Sequence, residues 1–205
     1  MRIAIIMEGK TEQAFLPHLR SYLKNYLTGN MPKLDPVIYD GRIPVGDKLK
    51  RVVENLLSDS RSPADYVIAL TDVYTGTTPP DFKDALDAKN KIRQWVNGVT
   101  RFYPHAAQYD FESWLLPYWS DIQRLAGHNT AAPAGNPESI DHGNPPSHRI
   151  KQIFRVGSSS HDYVKARDAG RILRDNDLTV SVNQCSELKA FVNTIITLCG
   201  SPPIL

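Results

Sequence analysis

Short apolar runs and longer amphipathic stretches alternate through the first 120 residues of this chain. Ile3 to Met7 is a continuous apolar run, the pattern of a strand buried on both faces. Phe15, Leu19, Tyr22, Leu23 and Tyr26 then recur at helical spacing and predict a helix over about residues 11–28. Pro36 to Tyr39 reads as a short strand, and Leu49, Val52, Val53, Leu56 and Leu57 mark a second amphipathic helix. Tyr66 to Leu70 is another buried strand, and Gly76 to Pro80 is a loop by its turn chemistry. Phe82, Ala85, Leu86, Ile92, Trp95 and Val96 give a third helix, followed by a strand from Phe102 to Tyr109. Such alternation predicts an α/β domain built on a mainly parallel sheet with helices on both faces.

The pattern changes after residue 126. Residues 127–146 hold four prolines, three glycines and three asparagines with few apolar positions, and too little surface to bury. This is a long loop or lid, either facing a substrate or connecting elements on the back of the domain. From Ser147 onward the chain reads as helical and basic-edged, with His148, Arg149, Lys151, Arg155, Lys165, Arg167, Arg171 and Arg174. Leu178 to Val182 has the pattern of a last strand, and Leu188, Phe191, Val192, Ile195 and Ile196 that of a closing helix. The expected organisation is a core over 1–126, the loop over 127–146, and a mainly helical C-terminal extension over 147–205.

With 205 residues and 41% hydrophobic content, the chain is long enough for one well-buried domain. Its 24 basic and 22 acidic residues nearly balance, so any nucleic-acid contact must come from a local patch. No apolar run approaches the roughly 20 residues of a membrane span, and Glu8 interrupts the N-terminal run too early for a signal peptide. Cys185 and Cys199 lack metal-ligand spacing and read as small buried hydrophobes. A soluble, cytoplasmic protein is expected.

The chemistry lies at the ends of the strand-like runs. Glu8 follows the first strand, Asp72 ends the Tyr66 run, and Glu112 follows the Phe102 run. Ligands of open α/β sheets bind at the carboxyl ends of the strands, and three acids at one such edge suggest a site for Mg²⁺ or Mn²⁺. Glu12, one helical turn after Glu8, is a candidate outer ligand. Gly9-Lys10-Thr11 matches the tail of a phosphate-binding P-loop, but Ala4 stands where its leading glycine belongs and only about two residues leave the strand. Nucleotide binding by that route, and with it a small-molecule phosphotransferase, ranks below the acidic site.

The succession Glu8-Gly-Lys-Thr-Glu12, then Thr71-Asp72-Val-Tyr-Thr-Gly76, then His105, Gln108 and Asp110-Phe-Glu-Ser-Trp-Leu-Leu116 resembles a Toprim-type domain. More narrowly, it resembles a family of small bacterial Toprim-like proteins of unknown function. These are distant relatives of the OLD-family nucleases and are often encoded beside an AAA or ABC-type ATPase in defence islands. The resemblance continues through Pro146-Ser147-His148-Arg149, Tyr163-Val-Lys165 and Gly170. It implies that Glu8 is the Toprim glutamate, a metal ligand or general acid/base, and that Asp72 and Glu112 complete the metal site. It also implies that Arg149, Lys165 and Ser147 face the scissile phosphate, with Lys165 also a catalytic candidate. Two departures stand out: Tyr74 replaces the second acid of Asp-x-Asp, and Thr75 separates it from Gly76.

Other residues carry weaker signals. His105 either supports a metal ligand from behind or is a half-buried imidazole. His142 and His148 flank a polar loop without ligand spacing, and Trp95, Trp114 and Trp119 fit helical apolar faces. The resemblance therefore implies a Mg-dependent nuclease, the effector of a bacterial antiphage system acting on DNA or RNA with an ATPase partner, oligomeric state open. The alternative is a non-catalytic Toprim-fold partner or sensor that binds an ATPase or nucleic acid.

Overall fold

The structure is a computed structural model that describes residues 1–139, 143–158 and 161–205; His142 lies outside the described residues. Four strands form one sheet: β1 (Arg2–Met7), β2 (Lys33–Ile38), β3 (Tyr66–Asp72) and β4 (Phe102–Ala107), in the order β2-β1-β3-β4. All three pairings are parallel, with Ile5 opposite Pro36 and Ile68, and Leu70 opposite His105. Parallel strands need crossovers, and α1 (Lys10–Leu23), α2 (Asp47–Ser58) and α3 (Ala85–Trp95) supply them. Asp84 caps α3 by accepting the Asp87 N–H at 2.8 Å.

The side chains of the strands divide with period two. Ile3, Ile5, Met7, Ile68 and Leu70 face one way, into a core with α1. Ala4, Ile6, Val67 and Ala69 face the other, against α2 and α3. The first core is the larger because the C-terminal helices join it. These are α4 (Trp119–Ala126), α5 (Pro146–Val156), α6 (Lys165–Arg174), α7 (Thr179–Gln184) and α8 (Ser186–Leu198), with α6 packed along α1. Lys89 on α3 bonds Glu187 on α8 at 2.6 Å, so an ion pair joins helices from the two faces past the outer strand.

Leu178 to Val182, expected as a strand, is instead α-helical from Thr179. Its alternating pattern is overruled because Val182 enters the core with α8 while Ser181 Oγ donates to the Trp114 carbonyl at 2.6 Å. Both contacts come from tertiary packing rather than from a neighbouring strand. The described part of the 127–146 stretch is tied down. Glu138 accepts from Ser186 Oγ at 2.7 Å and from the Glu187 N–H at 3.1 Å, and Asn136 donates to the Gln184 carbonyl. Cys185 is buried in the core and Cys199 half-buried, both as free thiols. No helix among the described residues is long and apolar enough to cross a membrane.

Candidate active site

The acids gather where β1, β3 and β4 end. Glu8 follows Met7 directly, and only Glu8 and Gly9 separate β1 from α1, which leaves no loop to wrap a phosphate. Glu8 Oε1 accepts from Thr71 Oγ1 and from the Asp72 N–H at 3.1 Å, so the end of β3 fixes the end of β1. Glu12, in the first turn of α1, is buried beside it.

At the end of β4 the chain turns sharply. Tyr109 takes a left-handed φ of 67°, uncommon for a non-glycine residue and a local source of strain. The chain then enters a 3₁₀ turn over Phe111–Trp114 that buries Asp110 and Glu112. Glu112 is 0% exposed. Its Oε1 accepts from the Tyr163 hydroxyl at 3.3 Å and its Oε2 from Lys165 Nζ at 3.2 Å. Asp110 Oδ2 accepts the Ser147 N–H at 3.1 Å, while Oδ1 is buried with no hydrogen-bond partner among the described residues. A bare buried carboxylate oxygen is costly unless something polar reaches it.

The electrostatics follow from the company these groups keep. Glu8 is pushed up to about 7, chiefly by burial and further by Glu12, against its hydrogen bonds from Thr71 and Asp72. Asp110 is pushed up to about 7 by burial and by Glu112. Burial also raises Glu12, with Glu112 adding to the rise. Asp72 rises by burial and by the charges of Glu8, Glu12 and Asp110. Lys165 is disfavoured by its own burial, but Glu112, Asp72 and Asp110 outweigh this and hold its pKa above the ordinary value. Five carboxylates therefore share one strongly held ammonium. Among the described residues, no three acid, histidine or cysteine side chains already stand in the arrangement of metal ligands.

The structure thus brings together Glu8, Glu12, Asp72, Glu112 and Lys165. Ser147 is buried and turned to Asp110, to which it gives its N–H. Arg149 Nε donates to the Asn144 carbonyl at 3.2 Å, and its side chain lines a cleft on the flank of α5. Lys165 is the principal cation bearing on the acids. His105, expected either to support a metal ligand or to be a half-buried imidazole, is not brought to the acids. It is buried, its Nε2 lies 3.0 Å from Thr194 Oγ1, and burial with the charges of Lys89 and Arg93 pushes it down to about 3. Its position on β4, opposite Leu70, sets it short of the strand end. Tyr74, in the place of a second acid, is exposed and meets the His148 ring edge-on at 6.3 Å. Asp110 and Tyr163 are the residues that the spacing missed as site residues. Both stand inside motifs that carry the family resemblance, Asp110 two positions before Glu112 and Tyr163 two before Lys165, but neither was given a site role.

An open parallel sheet with acids at the carboxyl ends of its strands makes this an α/β domain whose candidate site lies at that edge. The chain belongs to the family described as Domain of unknown function (DUF4276), whose model matches residues 7–196. Among solved structures it is similar to the C-terminal region of the Burkholderia pseudomallei OLD protein. That match has TM-score 0.54 and 11% identity and covers 96% of this chain and 98% of the other. It is also similar to the C-terminal region of the Xanthomonas campestris pv. campestris OLD protein, with TM-score 0.52 and 13% identity over 97% and 94% of the two chains. At these identities the shared property is the fold. No curated protein matches the chain.

Proposed function

We propose that this chain is a divalent-cation-dependent nuclease that hydrolyses phosphodiester bonds in nucleic acid. The observation that carries the reading is the imbalance at the sheet edge, where Glu8, Glu12, Asp72 and Asp110, raised by burial and by neighbouring acids, and the buried Glu112 face one ammonium. Such a site gains most from a cation, and hard oxygen donors suit Mg²⁺ or Mn²⁺. Glu8, Asp72 and Glu112 would hold it, with Asp110 Oδ1 as a further donor and Glu12 outside them. Bound there, the ion supplies charge stabilisation for a phosphate and a more acidic water.

The protein's own groups have distinct tasks. Glu8 has Oε1 committed to Thr71 and Asp72, so Oε2 is the atom left for a cation or a proton. Its pKa of about 7 lets it exchange that proton near neutrality. Lys165 keeps its proton and offers positive charge to the phosphate, held against Glu112 by a bond that Tyr163 flanks. Arg149 adds charge along the nucleic-acid path, and Ser147 orients Asp110. The resemblance in motif order supports a role as the effector of a bacterial antiphage system working with an AAA or ABC-type ATPase.

A second reading, a non-catalytic partner or sensor, draws on Tyr74 in the place of a second acid and on the absence, among the described residues, of a preformed three-ligand group. Calorimetric titration of Mn²⁺ separates the two, with wild type beside Glu8→Ala and Asp72→Ala. A nuclease is expected to bind about one equivalent, to lose it in both variants, and to cut nucleic acid alone or with its ATPase. Absence of binding to wild type, with the fold intact by circular dichroism and nucleic acid present, favours the sensor.

A further inference from the structure

A cleft of about 390 Å³ opens between α4, the segment after it and α5, lined by Trp119, Pro133, Arg149, Gln152, Ile153 and Val156 among others. We propose that this cleft receives an unstacked base of the substrate strand, which makes single-stranded nucleic acid the substrate class. The inference rests on the nuclease reading above and deepens it.

Three features point to a nucleotide. The volume falls within the roughly 300–1,000 Å³ of small-molecule sites, and its walls combine apolar side chains with a guanidinium and a carboxamide. Arg149, Gln152, Ile153 and Val156 share one face of α5, at the i, i+3, i+4 and i+7 positions. An apolar slot would take the face of a base, while Gln152, exposed and with both donor and acceptor, suits its edge. The indole N–H of Trp119 is already committed to the Thr130 carbonyl at 2.8 Å, which leaves its ring as apolar wall and fixes the rim.

The cleft also adjoins the acids along a rigid element. The N–H of Ser147, in the first turn of α5, bonds Asp110. Arg149 and Gln152 follow on the same helix, about 3 and 8 Å farther along its axis at 1.5 Å per residue. In the proposed complex the first two turns of α5 would span the distance between a phosphate at the acids and the base of an adjoining nucleotide. A base inside a duplex presents only its edge in a groove, so a slot for its face requires a strand that is single or locally opened.

Fluorescence anisotropy of the full chain with labelled oligonucleotides, in Ca²⁺ and with folding checked by circular dichroism, tests this. The probes are single-stranded DNA, single-stranded RNA, the same strand with a run of abasic positions, and a blunt duplex. Gln152→Ala and Val156→Asp are the variants, both at exposed positions of α5, so the core is untouched. Roughly tenfold weaker binding of the abasic strand and the duplex is expected, with a similar loss for the intact strand in both variants. The DNA and RNA arms show which sugar is preferred. Equal binding of intact, abasic and duplex probes, or variants indistinguishable from wild type, would overturn the base cleft. If no nucleic acid binds while Mn²⁺ still titrates Glu8 and Asp72, the cleft falls and the metal site stands. If base-dependent binding persists without Mn²⁺ binding, the cleft stands and the nuclease reading falls.

Discussion

Glu112 and Asp168 are both side chains with 0% exposure, and they are compensated in opposite ways. Asp168, in α6, accepts from Arg167 Nε and Nη2 at 2.9 Å, from Arg171 Nη1 at 3.4 Å and from the Val164 N–H at 2.8 Å. Burial alone would raise its pKa, but these partners together hold it below the ordinary carboxylate value. Around Glu112 the ratio is reversed, since Lys165 is shared with Glu8, Glu12, Asp72 and Asp110. A carboxylate with surplus partners holds a fold together. A cluster with too few is a cost to the fold, and a ligand that brings positive charge relieves it.

The comparison breaks most visibly at Asp168. Asp168→Ala removes the carboxylate that two guanidinium groups share and the bond to Val164 at the start of α6. Breaking a buried pair costs about 3–5 kcal/mol. Both arginines are more than a third exposed, so solvent screening places the loss at about 2–3 kcal/mol, read from urea unfolding at neutral pH.

A smaller effect of opposite sign is expected at the acids. Asp72→Asn removes an acid whose charged form burial and the neighbouring carboxylates oppose, so the cation-free protein should gain stability at pH 8. It should lose Mn²⁺ binding at the same time. A variant destabilised at pH 8, with binding intact, would place Asp72 among the structural acids.

The pH dependence sharpens the contrast further. Glu8 and Asp110 have folded pKa values near 7, above their unfolded values, so the folded state binds more protons between about pH 4 and 7. The cation-free protein should therefore lose stability as pH rises through that window. Each kcal/mol lost lowers Tm by about 2–4 °C in a chain of this size. Asp168 acts the other way: its depressed pKa gives stability that is present above its unfolded value and lost as pH falls through the folded one. Saturating Mn²⁺ should restore Tm at pH 8 and leave it unchanged at pH 4.

The smallest effect is expected at Tyr163, whose hydroxyl meets Glu112 at 3.3 Å. Tyr163→Phe should cost about 1 kcal/mol of stability. Any nuclease activity should fall while Mn²⁺ binding persists, because Lys165 loses the neighbour that helps to position Glu112.

Much of this was legible along the chain. The apolar runs at Ile3–Met7 and Tyr66–Leu70 mark the central strands, because a strand flanked by helices on both faces leaves no position for a polar side chain. Glu8 and Asp72 could be placed at one edge because parallel strands end on the same side. Asp110 was harder to read. A residue two positions before Glu112 turns inward only because Tyr109 adopts a left-handed conformation and a 3₁₀ turn follows.

What the sequence determined by itself was periodic: the four strands and three crossover helices of the first 107 residues, and the acids that follow those strands, since each is set by neighbours within one or two turns. What only the tertiary structure decided was pairing at a distance. Tyr163 and Lys165 reach Glu112 across 51 and 53 positions because α6 packs along α1. His105 turns to Thr194 across 89 positions because α8 lies against β4. Residues 179–184 are helical because a shared core with α8 outweighs their alternating pattern. Local spacing fixes periodicity, while the burial of one helix against another fixes which charges must share a site.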